Sequence, residues 1–468
     1  MSSPGTDARP RLAMVSTYDE LCGIAAYTTH LKKQLDAHFD VTVFDLDQFF
    51  LRHQGRRLKK LGDQQIQMIC RQLVNFDCVN IQLEYGTIGR DPRDIVRRLR
   101  WLVKAAPRLS VTLHTMLEAD PFSFPDFLKE AGRGNLPKAW NHYLTARRAR
   151  LLSRHTYGML RQAQSGKRVS VIVHTKRDMR TMRYVHRLRE VFDHPLAFMS
   201  ADQSLRVAAT ATRADFPLLR HLPADACLIG VFGFLGPYKS FETAIRALQH
   251  LPETHHLLIF GGVHPRMIRK EQKIDPYIQQ LLAEAYVDTN VVQRLSEGSA
   301  AASGTSPVSV NLTIDAEMTK LLESHPRDLS RRVHFMGALP DDEFARGMAN
   351  CDTVVFPYLE VGQSSSGPIS QAIELGKRVI ASRTLAFLQL ARYHPNTIEF
   401  FDIGNHLELA QRIKADAAFP DYAKNVEFDA RSNADIYLAA CGQGMARQEN
   451  NRLREETKPV LVAKGTAD

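Results

Sequence analysis

The sequence predicts an α/β protein made of two consecutive doubly wound, Rossmann-like domains. Three observations carry this reading. The chain has 468 residues, more than one hydrophobic core usually supports. Short β-rich apolar runs alternate with longer stretches of helical spacing in its first half, as a parallel sheet covered on both faces requires. A second series of the same kind and similar size follows.

In the first series, strands are expected at RLAMVS (11–16), VTVFDL (41–46), CVNIQL (78–83), LSVTLH (109–114) and VSVIVH (169–174). Helices such as Tyr27–Ala37 and Pro92–Ala105 lie between them. In the second, strands are expected at CLIGVFGFL (227–235), HLLIFGG (256–262), RVHFMG (332–337), TVVFPYL (353–359), RVIAS (378–382) and TIEFF (397–401). Ser240–Leu251 and Ile369–Leu375 read as helices there. The pattern breaks at Ser200-Ala201-Asp202 and again at Leu222-Pro223, which gives domains over 1–210 and 211–420. The small-residue run SEGSAAASGTSPVS (296–309) marks a flexible insertion over about 285–326, and 446–468 reads as a polar tail.

Composition narrows the class. Hydrophobic residues make up 44% and charged residues 24%, which excludes a mainly disordered, collagen-like or coiled-coil chain. The six cysteines, at 22, 70, 78, 227, 351 and 441, are widely spaced and form no CxxC pair. They spell neither a zinc module nor a disulfide framework, and a reducing compartment is expected. No apolar run is long enough to span a bilayer, and no hydrophobic segment follows the polar start MSSPGTDARPR. The expected location is the cytoplasm, or the inner face of the membrane as a peripheral protein. The net charge of +10 is uneven: residues 1–205 hold 33 Lys+Arg against 20 Asp+Glu, and the remainder 28 against 31. The first half therefore suits an anionic partner, whether nucleic acid, acidic lipid or a phosphorylated substrate.

Five local patterns can carry chemistry. GQSSSGPISQAIELGKRVIAS (362–382) follows a strand and puts Ser364, Ser365, Ser366 and Gly367 before Pro368, at a helix start. A small-residue turn there is an anion site, because backbone N–H groups and the helix dipole favour phosphate. A serine-capped structural turn is the plainer reading. VFGFLGPYKSFETAIRAL (231–248) brings Lys239 to the rim above a strand end, where an ammonium can meet a phosphate. STYDELCGIAAYTTHL (16–31) contains Gly23, which allows close backbone approach, but no G-x-G-x-x-G fingerprint. His114 ends the fourth strand, and IQLEYGTIG (81–89) brings Gln82 and Glu84, followed by Tyr85, to the same rim.

These five features, in this order on two Rossmann halves, resemble family 4 retaining glycosyltransferases (glycosyl transferases group 1) of the GT-B fold. The resemblance covers roughly residues 11–445 and includes Tyr422–Leu438, similar to the family's C-terminal helix that crosses back to the first domain. It implies two domains facing each other across a cleft, with the crossing helix over 421–445. It implies hexosyl transfer from a nucleotide sugar, held mainly by the second domain, to a saccharide or lipid-linked acceptor held by the first. No cofactor or metal is implied.

Carried over by position, Gly23 lies near the donor phosphates, His114 borders the transferred sugar and Lys239 neutralises the diphosphate. Ser365, Ser366 and Gly367 form the turn on phosphate and sugar. Gln82, Glu84 and Tyr85 are acceptor-side candidates, and Gly337–Leu339 falls near the base. Gln363 and Gln371 occupy the two positions of the family's E-x7-E element, for the transferred sugar and the ribose.

Glutamine keeps hydroxyl recognition but removes the negative charge that favours an oxocarbenium-like transition state. A Q-x-S-S-G variant itself resembles a branch of the family. The family's arginine before the lysine is missing; Gly233 and Phe234 stand in that stretch. These departures motivate the alternative of a catalytically weakened binding or scaffold subunit. Glu374, one turn past Gln371, reads as a solvated helix position. Asp45-Leu46-Asp47 is a D-x-D in the wrong architecture for metal binding, and Asn311-Leu312-Thr313 is a chance glycosylation sequon. Basic stretches at 52–60, 90–104 and 146–162, with Trp101, Leu151, Leu152 and Leu160 interleaved, suit an anionic membrane as well as they suit solvated outer helices. No nucleic-acid motif supports a nucleic-acid partner.

Overall fold

A computed structural model describes residues 9–18, 20, 22–117, 124–264, 275–285, 329–415 and 427–442. The expected 446–468 tail, the Asn311 sequon and all but Ala285 of the expected insertion lie outside the described residues, as do 421–426 and 443–445 of the expected crossing helix. The chain divides into two compact units. One runs to Leu196 and resumes at Ala430, and the other is Ala197–Asp429.

The first unit holds a six-stranded, all-parallel sheet: β1 (Arg11–Ser16), β2 (Asp40–Asp45), β3 (Cys78–Leu83), β4 (Leu109–Leu113), β5 (Val169–Val173) and β6 (Glu190–Asp193), in the order β2-β1-β3-β4-β5-β6. β3, β4 and β5 are buried along their whole length, whereas the edge strands β2 and β6 are partly exposed. Leucines, isoleucines and valines of the sheet pack with Ile66, Leu99, Leu102 and Leu160 from the covering helices. The Pro92–Ala105 helix shows how the sequence sets its bounds. Asp91 caps it by accepting from Arg93 N at 2.8 Å, and Pro92 opens it.

The second unit repeats the plan with β7 (Cys227–Phe232), β8 (His255–Phe260), β9 (Val333–Gly337), β10 (Thr353–Phe356), β11 (Arg378–Ser382) and β12 (Ile398–Phe401). Their order is β12-β11-β10-β7-β8-β9, again all parallel. β7 stops short of the expected 235 because Gly233 turns to φ +122°. β10 stops before Pro357, which has no N–H for the ladder. The second unit begins at Ala197, and its Glu374 holds the backbone of Phe198 and Met199.

The chain then returns to the first unit. The Ala430–Ala440 helix packs on the Gly23–Leu35 helix and beside β5 and β6. Asn433 Nδ2 donates to Tyr27 Oη at 3.3 Å and to Gln34 Oε1 at 2.8 Å.

Candidate functional site

In open parallel sheets ligands bind outside the strands' carboxyl ends, where the strand order reverses. In the second sheet that place is between β7 and β10. After β7 the chain makes a 3-10 turn, Pro237–Lys239, and passes through Ser240 in the left-handed region, φ +49°. This delivers Lys239 into a buried position. Its ammonium donates to the phenol of Tyr358, which follows β10, and lies 4.1 Å from that ring's centre and 5.3 Å from that of Tyr238. Gly233 makes the space: a Cβ there would meet Lys239 Nζ at 2.7 Å. No carboxylate among the described residues pairs with this lysine, and burial lowers its pKa to about 7.

Tyr358 also links the lysine to the serine turn, its hydroxyl 3.3 Å from Ser366 Oγ. Ser366 begins the Gly367–Glu374 helix without capping it by its side chain, so the helix's leading N–H groups are left for another acceptor. Gly367 packs closely on Phe198: a Cβ there would meet that ring at 3.0 Å, and the ring would have to shift by a few tenths of an ångström. Ser365 and Gln363 are half-buried, and Gln363 Nε2 donates to Ser365 O at 2.6 Å. Gln371 is half-buried on the helix.

Glu374 is not the solvated residue that its sequence position suggests. It is buried, and its carboxylate accepts from Phe198 N at 2.8 Å and Met199 N at 3.1 Å. Burial, with Asp429 nearby, pushes its pKa well above the ordinary range against the pull of those two N–H groups.

In the first unit the strand order reverses at β1, between β2 and β3. Gly23 is exposed at the start of its helix. Its backbone does not need a glycine, and a Cβ there would meet nothing within 4 Å. His114 follows β4 and is buried, 2.7 Å from Gln82 Oε1 through Nε2. Its ring meets Tyr27 edge-on at 5.4 Å and lies 5.1 Å from His174. Burial, helped by His174, holds its pKa well below the usual value.

Two of the three acceptor-side candidates are buried. Gln82 is completely buried and serves His114. Tyr85 points into the core, 3.5 Å from the Tyr157 hydroxyl. Glu84 alone of the three stays half-exposed at the rim, accepting from Thr115 Oγ1 at 2.5 Å.

His174, beyond β5, lies beside His114 without having stood out in the sequence. Its Nδ1 is 3.0 Å from His194 O, and its Nε2 is buried with no hydrogen-bond partner. The signal was present, since VSVIVH ends on histidine as VTLH does.

The basic stretches also read differently in space. Arg98 is completely buried, bonded to Asp63 and to the carbonyls of Leu51 and Ile88. Arg97 is tied to Asp63 and Asp94 at 2.6 and 2.9 Å. Leu152 and Leu160 face the core. Large exposed apolar side chains gather instead on the Phe124–Gly132 and Leu136–Ala163 helices: Phe124, Leu128, Leu136 and Trp140 are each more than half exposed. Exposed Lys129, Arg133, Arg147 and Arg148 lie on the same two helices or the link between them.

The D-x-D pair does local work. Asp45 accepts from Tyr18 N, and Asp47 caps the Gln48–Arg52 helix. Among the described residues no cluster of three or more His, Cys, Asp or Glu could hold a metal, and no helix is long and apolar enough to cross a membrane.

No protein-family model matches this chain, and no curated protein does. Solved structures do. Sucrose-phosphate synthase from Thermosynechococcus elongatus is similar over 96% of this chain and 99% of its own, at 16% identity and a TM-score of 0.54. A UDP-forming α,α-trehalose-phosphate synthase from Burkholderia xenovorans is similar over 92% and 99%, at 12% identity and a TM-score of 0.54. HepE (Alr3699) from Anabaena, solved with UDP and glucose, is similar over 96% and 99%, at 15% identity and a TM-score of 0.50. At these identities the likeness is one of fold, and together with the two parallel six-stranded sheets it gives this chain the GT-B fold.

Proposed function

We propose that this protein is a retaining glycosyltransferase that moves a hexose from a UDP- or GDP-sugar to a saccharide or lipid-linked acceptor, without a metal. One observation carries the reading: a buried lysine with no carboxylate partner among the described residues, at the strand-order reversal of the second sheet, beside an uncapped helix start. A buried cation lacking a counter-charge is costly, and a nucleoside diphosphate supplies that charge. The solved GT-B neighbours include one holding UDP and glucose, which agrees with such a ligand.

In this reading Lys239 and the N–H groups after Ser366 stabilise the departing diphosphate. Ser365 and Gly367 line its turn, Gln371 takes the ribose hydroxyls, and Gln363 takes the sugar. The open face of Gly23 lets phosphate approach the first helix. An acceptor hydroxyl attacks the anomeric carbon from the side the diphosphate leaves. The new C–O bond forms as the glycosyl–phosphate bond breaks, and the hydroxyl proton passes to a diphosphate oxygen. His114 orients the sugar, and Glu84 is the remaining acceptor-side candidate. The exposed apolar and basic side chains of the Phe124–Ala163 region favour an acceptor presented at an anionic membrane surface, with the protein on the cytoplasmic side.

A thermal-shift screen against UDP, GDP, ADP and their sugars tests the reading. At least one nucleotide is expected to raise the melting temperature of the wild type and not of Lys239→Ala. No shift with any of them, or an equal shift in the variant, overturns it. Binding without transfer or donor hydrolysis would instead favour the weakened binding subunit that the two glutamines suggest.

A further inference from the structure

Along β3 and β4, up to their carboxyl ends, the first unit buries a polar network. His114 Nε2 and Gln82 Oε1 are 2.7 Å apart. An amide oxygen only accepts, so His114 carries its proton on Nε2 and donates it. The Gln82 amide is fixed in turn. Its Nε2 donates to Asn80 Oδ1 at 2.6 Å and lies 3.3 Å from the Tyr437 hydroxyl. Asn80 Nδ2 donates to Ser110 Oγ and Thr112 Oγ1, both at 3.2 Å. Tyr437 closes the circuit 2.8 Å from Thr112 Oγ1.

Asn80, Gln82, Ser110, Thr112 and Tyr437 are all fully buried. Tyr437 comes from the returning Ala430–Ala440 helix, 355 residues beyond Gln82 in sequence. Among the described residues, the groups around the imidazole are Tyr27 from the first helix and His174 from the end of β5, with Gln82 as its hydrogen-bond partner. None of these is a carboxylate, so none of them favours the imidazolium.

With Nε2 committed to Gln82, Nδ1 is the nitrogen left for a ligand, and in the neutral ring it offers only a lone pair. We propose that Gln82 and Tyr437 are positioning residues that hold His114 as the neutral Nε2–H tautomer, so that Nδ1 accepts a hydrogen bond from a sugar hydroxyl. The returning helix is then part of the transfer site through Tyr437. The tautomer and its supports rest on the first unit's own geometry, and the hydroxyl partner rests on the function proposed above.

The test uses the full-length protein labelled with 15N-histidine, without ligand, and long-range 1H–15N correlation at pH 7. His114→Gln identifies the His114 signals. The expected result is a protonated Nε2 and an unprotonated Nδ1, with Tyr437→Phe and Gln82→Leu each giving mixed tautomers. A protonated Nδ1 or an imidazolium in the wild type overturns the proposal. So does a Tyr437→Phe spectrum identical to the wild type, and this variant, which loses one hydroxyl, carries the test if Gln82→Leu does not fold. Sugar transfer or donor hydrolysis in Tyr437→Phe is expected to fall about ten- to a hundredfold, with the nucleotide-induced melting shift retained. Failure of every nucleotide to bind the wild type defeats the proposed function and leaves the tautomer result standing. A wrong tautomer defeats this inference alone.

Discussion

The ammonium of Lys239 lies over the ring of Tyr358, 4.1 Å from its centre, and donates to the phenol of the same residue. The arrangement holds a cation in place without neutralising it. Replacing the lysine by methionine of similar length should therefore stabilise the unliganded protein, by roughly 1–3 kcal/mol, while abolishing nucleotide binding. Burial lowers the lysine's pKa to about 7 from its ordinary 10.5. Between those values the unfolded chain holds a proton that the folded one has released, so this group makes stability rise with pH. Urea titrations of wild type and Lys239→Met from pH 7 to 10 should converge at the alkaline end. A variant less stable at pH 7 would show that the ammonium has a counter-charge.

Glu374 secures the first residues of the second unit. Glu374→Ala leaves the Phe198 and Met199 N–H groups buried and unpaired, at about 1–3 kcal/mol each, whereas Glu374→Gln keeps one acceptor and loses less. Burial raises this carboxyl's pKa well above the ordinary 4.5. The folded state therefore retains a proton that the unfolded state gives up, and stability falls as pH rises from about 4.5 through that window. Denaturation across acidic to neutral pH should show this loss in the wild type and not in Glu374→Gln. Parallel pH profiles would exclude the carboxyl as its source.

The two glutamines are separable. Gln371→Ala should weaken free nucleotide and nucleotide sugar alike, by about tenfold for a lost hydrogen bond to a hydroxyl. Gln363→Ala should leave nucleotide affinity unchanged and lower turnover. Calorimetry paired with donor hydrolysis distinguishes them, and the opposite pattern would show that the register along 363–371 is misassigned.

Membrane attachment should depend on the exposed apolar side chains more than on the Pro92–Ala105 helix. Co-sedimentation with acidic liposomes, absent with neutral ones and lost at high salt, is expected for the wild type. Phe124→Ser with Trp140→Ser should abolish it, and Arg147→Gln with Arg148→Gln should weaken it. Arg98 is unsuitable for such a test, because its removal would leave the Leu51 and Ile88 carbonyls without their donor. Recovery equal from both liposome types, or from neither, would point to a soluble acceptor.

Sequence pattern located the sheets well where burial is two-sided. β1, β3 and β11 begin and end at the residues that their apolar runs predict, because a strand covered on both faces needs an unbroken run. β6 escaped notice: EVFD is four residues with charged ends at a sheet edge. The turn chemistry around Lys239 and Ser366 was legible, since glycines, serines and Pro368 mark strand–helix turns locally. Arg98, Gln82 and Glu374 were not. Each is a polar residue with at least one partner remote in sequence, 176 residues away for Glu374 and Phe198, and no local pattern reports that. Tyr358 could have been suspected from FPYLE, where an aromatic follows the proline that ends β10.

The return of Ala430–Ala440 to the first unit sets an order on birth from the ribosome. β1 to β6 emerge first, yet the residue that closes the polar circuit over Asn80, Gln82 and Thr112 is made only after the entire second unit. The nascent first unit must wait, with that buried polar face uncovered, through the translation of Ala197–Asp429, while the later unit already has β7 to β12. Vectorial synthesis usually lets the N-terminal domain fold first. In this chain it is the later unit that can finish first, and the first unit is completed only when the Ala430–Ala440 helix arrives.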